Sequence, residues 1–69
     1  MKTIIYYPSN HDATESQISD RITEYLNVSN FIVTRGNSRS VVVDFDSNIS
    51  IQQLKDLDAA MITFGFQRY

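Results

Sequence analysis

The sequence predicts an α+β domain in which two helices cover one side of an antiparallel sheet. Two stretches of alternating apolar residues flank a polar turn, and two other stretches combine helical spacing with cap residues. With a first strand ahead of them, the order is β-α-β-β-α-β, the ferredoxin-like two-layer sandwich with a short last strand. Right-handed crossovers put both helices on one side and leave the other side of the sheet uncovered.

Residues 31–46 predict a β-hairpin at the centre of the fold. Phe31 and Val33 share one parity, and the apolar residues Val41, Val43 and Phe45 share the same parity on the second strand. Pairing Arg35 with Arg39 directs both sets to one core, because side chains two apart lie on the same face of a strand. This register predicts a three-residue loop at 36–38.

The same register turns a second set of side chains away from the core. Its members are Ile32, Thr34, Ser40, Val42 and Asp44. Arg35 and Arg39 flank the hairpin tip as a like-charge pair, which is unfavourable unless it is solvated or matched by an anion.

The first strand is predicted over residues 2–7 and ends before the only proline. Both of its faces are apolar, with Ile5 and Tyr7 on one side and Ile4 and Tyr6 on the other. Such a strand is typical of the centre of a sheet. The sequence leaves open which pair lies on the uncovered side.

The first helix is predicted over residues 14–27. Thr14 and Gln17 have capping-box spacing, and Asp12 with Glu15 is an equally good alternative. The helix closes on an asparagine, which readily adopts the left-handed conformation. Its apolar stripe consists of Ile18, Ile22, Tyr25 and Leu26.

The second helix is predicted to begin at a capping box formed by Ser50 and Gln53, with Ile49 and Leu54 as a hydrophobic staple. Its apolar residues are Leu54, Leu57, Met61 and Phe64.

Two endings of this helix are compatible with the sequence. We favour a helix through Phe64 that closes on Gly65, because the helical spacing continues unbroken. The alternative ends the helix near Ala60 and makes residues 61–66 a strand. In the favoured interpretation, residues 66–69 form the short last strand.

Composition limits the class of protein. The 69 residues predict one domain, 1–69, and the absence of cysteine excludes disulfides and thiolate metal sites. The net charge of -2 does not suggest a polyanion-binding protein. No apolar run approaches the roughly 18 residues that span a membrane, and the N-terminal run is too short for a signal peptide. We therefore expect a cytoplasmic protein.

The uncovered side of the sheet is the candidate functional surface, because an apolar centre with a polar rim is typical of an interface. We expect a non-catalytic module that binds another protein, or a second copy as a homodimer, through this face or an edge strand. Arg35 and Arg39 would supply charge at the rim. The candidate partner-binding residues are Tyr6, Tyr7, Ile32, Thr34, Arg35, Arg39, Val42 and Asp44.

The small size and the lack of a catalytic motif suggest an inhibitor or modulator of a larger protein, of the kind that phage and mobile elements encode. Single-stranded nucleic-acid binding is the alternative. RNA-recognition modules share this topology and stack bases on aromatics of the two central strands. Here the third strand presents Val42 and Asp44 outward, with no aromatic, so only Tyr6 or Tyr7 and the hairpin arginines support this alternative.

We expect no enzymatic activity, cofactor or metal site. His11 is the only histidine, and nothing in the sequence surrounds it with the nucleophile and orienting group of a triad. Asp44 and Asp46 share a parity, but no third acidic ligand lies nearby in the sequence to complete a site for a hard cation.

Overall fold

A computed structural model describes residues 2–7, 12–35 and 40–69. The four strands form one antiparallel sheet in the order β2-β3-β1-β4. The predicted α+β, ferredoxin-like arrangement is therefore confirmed. The elements are β1 (Thr3–Tyr7), α1 (Glu15–Leu26), β2 (Phe31–Arg35), β3 (Val41–Phe45), α2 (Ile51–Ile62) and β4 (Gln67–Arg68). Neither of these helices combines the length and apolarity needed to cross a membrane.

Both helices begin with the capping boxes that the sequence predicts. In α1, the Thr14 hydroxyl accepts a hydrogen bond from the Gln17 amide at 3.1 Å, and the Gln17 side chain accepts one from the Thr14 amide at 3.0 Å. Ser50 and Gln53 repeat this arrangement in α2. The alternative box of Asp12 and Glu15 is not the one used. At its other end, α1 closes on Asn27, which has a φ of 57°.

The end of α2 depends on Gly65. The amide of Phe66 donates to the carbonyl of Met61 at 3.1 Å, and the amide of Gly65 donates to the carbonyl of Ile62 at 2.9 Å. This is the Schellman pattern, which requires a left-handed residue, and Gly65 has a φ of 81°. Residues 61–66 are therefore not a strand, although the regular helix ends at Ile62, two residues before the predicted Phe64.

The hydrophobic core lies between the two helices and one face of the sheet. Tyr25, which the sequence places in the α1 stripe, is instead exposed. It lies at the margin of the stripe, and Ile18, Ile22 and Leu26 occupy the interface with the sheet. Val28, Phe31, Ile49 and Leu54 pack against the periphery of the core. The core itself consists of Ile4, Tyr6, Ala13, Ile18, Ile22, Leu26, Val33, Val41, Val43, Phe45, Leu57, Met61, Phe64 and Phe66.

The predicted hairpin register is wrong by two residues. Arg35 pairs with Val41, whereas the predicted register pairs it with Arg39. The observed register places Phe31 opposite Phe45, with ring centroids 5.7 Å apart, so aromatic packing favours it. Because the register is shifted by two residues and side chains alternate between the faces of a strand, every side chain keeps its predicted face. The predicted loop at 36–38 and Arg39 lie outside the described residues.

Strand β1 lies between β3 and β4 and has one face in the core. Ile4 and Tyr6 are buried against the helices, and Ile5 and Tyr7 lie on the opposite side. This resolves the choice that the sequence leaves open. Strand β4 pairs only Gln67 and Arg68 with β1, so it is shorter than the predicted 66–69.

Candidate functional site

We call the side of the sheet turned away from the helices the open face. Among the described residues, the strand registers, the burial pattern and the backbone hydrogen bond of Tyr69 place nine on it: Thr3, Ile5, Tyr7, Ile32, Thr34, Val42, Asp44, Gln67 and Tyr69. Five of the predicted contact residues are among them, namely Tyr7, Ile32, Thr34, Val42 and Asp44.

Four apolar and aromatic side chains form a continuous strip across the open face. Val42 of β3 is the direct cross-strand partner of Ile5 in β1. The amide of Tyr69 donates to the carbonyl of Ile5 at 2.8 Å, which places Tyr69 beside Ile5 on the other side. The rings of Tyr7 and Tyr69 meet edge to face with centroids 5.1 Å apart. We call Ile5, Tyr7, Val42 and Tyr69 the apolar strip.

Three of the four strip residues are exposed to solvent, and Val42 is half-buried. Ile5 is 37% exposed, Tyr7 is 43% exposed and Tyr69 is 84% exposed. Tyr69 is not among the contact residues predicted from the sequence. Its parity, opposite to that of the apolar Phe66, is the signal that could have placed it there.

Next to the strip, a more polar row crosses β2, β3 and β1. Asp44 pairs with Ile32 on one side and with Thr3 on the other. The Thr3 hydroxyl donates to Oδ1 of Asp44 at 2.9 Å, which fixes the orientation of the carboxylate. Ile32 is 68% exposed. Ile32 and Asp44 also line a groove of about 360 Å³. The residues that line it are Ser29, Asn30, Phe31, Ile32, Asp44, Phe45 and Asp46.

The candidate Arg35 lies on the helix side of the sheet. Its guanidinium carbon is 5.5 Å from the centre of the Phe66 ring, and its backbone amide donates to the Glu15 carboxylate at 2.9 Å. One guanidinium nitrogen, Nη1, is buried without a hydrogen-bond partner. Arg35 therefore does not supply charge to the rim of the open face, because it shares the parity of the core residue Val33. Arg39 lies outside the described residues.

The candidate Tyr6 is also removed from the open face, since it is only 1% exposed and faces the helices. Its hydroxyl donates to Oδ1 of Asp58 at 2.5 Å, and Nε of Arg68 lies 3.2 Å from Oδ2 of the same carboxylate. Burial raises the pKa of the Tyr6 phenol well above its usual value, and the hydrogen bond and charge of Asp58 raise it further. Arg68 opposes this change in part. The three side chains join β1, α2 and β4.

The described residues contain no group of three histidine, cysteine, aspartate or glutamate side chains placed to hold a metal ion. Asp44 and Asp46, the two carboxylates considered from the sequence, border the groove described above. His11 lies outside the described residues.

The fold and the open face define a small ferredoxin-like α+β domain with an exposed, partly aromatic sheet surface. In comparisons with known proteins, no protein family, no curated protein and no solved structure matches the chain.

Proposed function

We propose that this chain is a small non-catalytic module that binds another protein through its open face. The observation that carries the proposal is the apolar strip, which extends from β3 across β1 to the residue after β4, on the side of the sheet that α1 and α2 do not cover. Exposed apolar patches with polar surroundings are typical of protein-binding surfaces, and tyrosine is enriched among the residues that dominate such interfaces.

The charge of the open face favours a protein over a nucleic acid. Its one charged residue in the described strands is Asp44, and none of the described arginines or lysines shares its face. Phosphate backbones are bound mainly through arginine and lysine, and an aspartate would repel them. Tyr7 and Tyr69 offer rings on which bases could stack, so nucleic acid remains the alternative that the experiment below includes.

Binding without catalysis is sufficient for a role as an inhibitor or modulator of a larger protein, because occupying a partner's surface can block that surface. A second copy of this chain could use the same open face, which makes self-association one outcome of the test.

The test compares Val42→Asp with Ile51→Asp. Val42 belongs to the apolar strip, whereas Ile51 is an isoleucine 77% exposed at the start of α2, outside the open face. Sedimentation of the wild type measures self-association. Proteins that the wild type captures from a cell lysate are then purified, and their binding to all three chains is measured.

We expect Val42→Asp to abolish binding of a purified partner while its circular dichroism stays that of the wild type. We expect Ile51→Asp to bind normally. Equal binding to all three chains would contradict the proposal, and so would an affinity for single-stranded nucleic acid that falls steeply with salt and is lost in Val42→Asp.

A further inference from the structure

The polar row beside the apolar strip specifies one feature of the partner. On the basis of the proposed function, we infer that the partner segment that covers the open face carries an arginine or lysine flanked by apolar residues. Its cationic group meets the carboxylate of Asp44, and its aliphatic stem lies on Ile32.

The position of Asp44 favours this cation. Asp44 lies two residues from Val42 on the same face of β3, so a segment that covers the strip at Val42 also covers the carboxylate. Covering a carboxylate removes it from water, which costs several kcal/mol unless an opposite charge or hydrogen-bond donors replace the water. The Thr3 hydroxyl supplies only one such donor, at 2.9 Å from Oδ1.

Among the described residues, none is seen to form an ion pair with Asp44. The one ion pair seen among the described residues joins Arg68 to Asp58, on the helix side of the sheet. Asp46 also lines the groove and adds a second carboxylate at the same end of the sheet. Its backbone amide donates to the carbonyl of Asn30, which holds Asp46 beside the start of β2. The groove is therefore negative as well as apolar.

A long basic side chain matches both properties. Arginine and lysine pack their aliphatic stems along apolar surface while the charged end reaches a polar group. Ile32, at 68% exposure and directly opposite Asp44, provides that apolar surface. An arginine can in addition form a bidentate pair with a carboxylate, which makes it the better fit.

The experiment uses a library of random linear peptides, selected on the immobilised full chain and on three variants. Asp44→Asn removes the charge but keeps an oxygen that can accept from Thr3. Asp20→Asn is the matched control, since Asp20 is an exposed aspartate on α1. Val42→Asp reports whether a selected peptide binds at the open face.

We expect the wild type to enrich peptides in which arginine or lysine is flanked by apolar residues. Their affinity should fall at least about tenfold in Asp44→Asn, because the cation loses its charged partner. It should change less than about twofold in Asp20→Asn, as is usual for a distant surface charge.

The outcomes separate this inference from the proposed function. Peptides that lose binding in Val42→Asp, but lack basic residues or bind Asp44→Asn as tightly as the wild type, would overturn the inference and leave the protein-binding proposal standing. If no selected peptide depends on Val42, both fall.

Discussion

The hydroxyl of Tyr6, on the central strand β1, donates a 2.5 Å hydrogen bond to the carboxylate of Asp58 on α2. The same carboxylate lies 3.2 Å from Arg68 in β4, so a single aspartate links a helix to two strands. These two side-chain interactions connect the helix to the sheet, which the hydrogen bonds between strands do not do. Each can be tested by a substitution that removes one polar group.

Removing the hydroxyl of Tyr6 should lower the free energy of unfolding. A hydrogen bond to a charged group contributes about 1.5–3 kcal/mol, and because Asp58 is partly exposed we expect Tyr6→Phe to cost about 1–2 kcal/mol. Urea unfolding at pH 7 measures the loss. Tyr25→Phe is the control, because Tyr25 is exposed, and it should change the stability by less than about 0.5 kcal/mol. Equal effects of the two changes would contradict this role for Tyr6.

The raised pKa of Tyr6 predicts a loss of stability in alkali. Above the usual tyrosine pKa of about 10, the unfolded chain loses the phenol proton while the folded chain retains it. The contribution of Tyr6 to the free energy of unfolding should therefore be fully present below pH 10 and should decrease as the pH rises above 10. Urea midpoints from pH 8 to 11 measure this slope.

In Tyr6→Phe, the free energy of unfolding should decrease less steeply between pH 10 and 11 than in the wild type. In Tyr25→Phe, it should decrease as steeply as in the wild type. If Tyr6→Phe loses stability between pH 10 and 11 as steeply as the wild type does, the slope belongs to other groups.

Gly65 should be difficult to replace. Its φ of 81° is left-handed, a conformation that costs other residues about 1–2 kcal/mol. We expect Gly65→Ala to lower the free energy of unfolding by about that amount. Gly65→Asn should cost less, since asparagine tolerates this conformation. Thermal or urea unfolding of both variants measures the two losses of stability. If Gly65→Ala were as stable as the wild type, the end of α2 would not require a glycine.

Glu15 protects one position of the edge strand β2. Its carboxylate accepts from the amide of Arg35 at 2.9 Å, at a strand edge where another chain could pair. We expect Glu15→Ala to speed hydrogen exchange of the Arg35 amide about fivefold, because a hydrogen bond contributes about 1 kcal/mol net. Glu24→Ala, at an exposed glutamate later in α1, should leave that exchange rate unchanged. An unchanged rate in Glu15→Ala would exclude this protection.

Local signals in the sequence predicted the helices well. Capping boxes depend on residues three positions apart, so Thr14 with Gln17 and Ser50 with Gln53 could be recognised without knowing the fold. The faces of the hairpin were also predictable, since alternation depends only on parity. These two kinds of signal were enough for the order of elements and for five residues of the open face.

Signals that depend on contacts between distant segments were not available in the sequence. The predicted and the observed registers of the hairpin bury the same residues. The packing of Phe31 on Phe45 favours the observed one. Tyr6 and Tyr7 are chemically alike, so only the position of Asp58 on α2 shows which ring belongs in the core. The misplaced Arg35 is different, because its parity already indicated the helix side of the sheet.

Strand β4 contributes only two paired residues, and the ion pair from Arg68 to Asp58 that helps to hold it is partly exposed. Because such pairs contribute little, we expect this strand to detach more easily than any other in the described sheet. Its detachment would leave β1, apolar on both of its faces, with one whole flank of backbone donors and acceptors free. Residues 67–69, although they bury little surface themselves, would then influence how readily the protein aggregates.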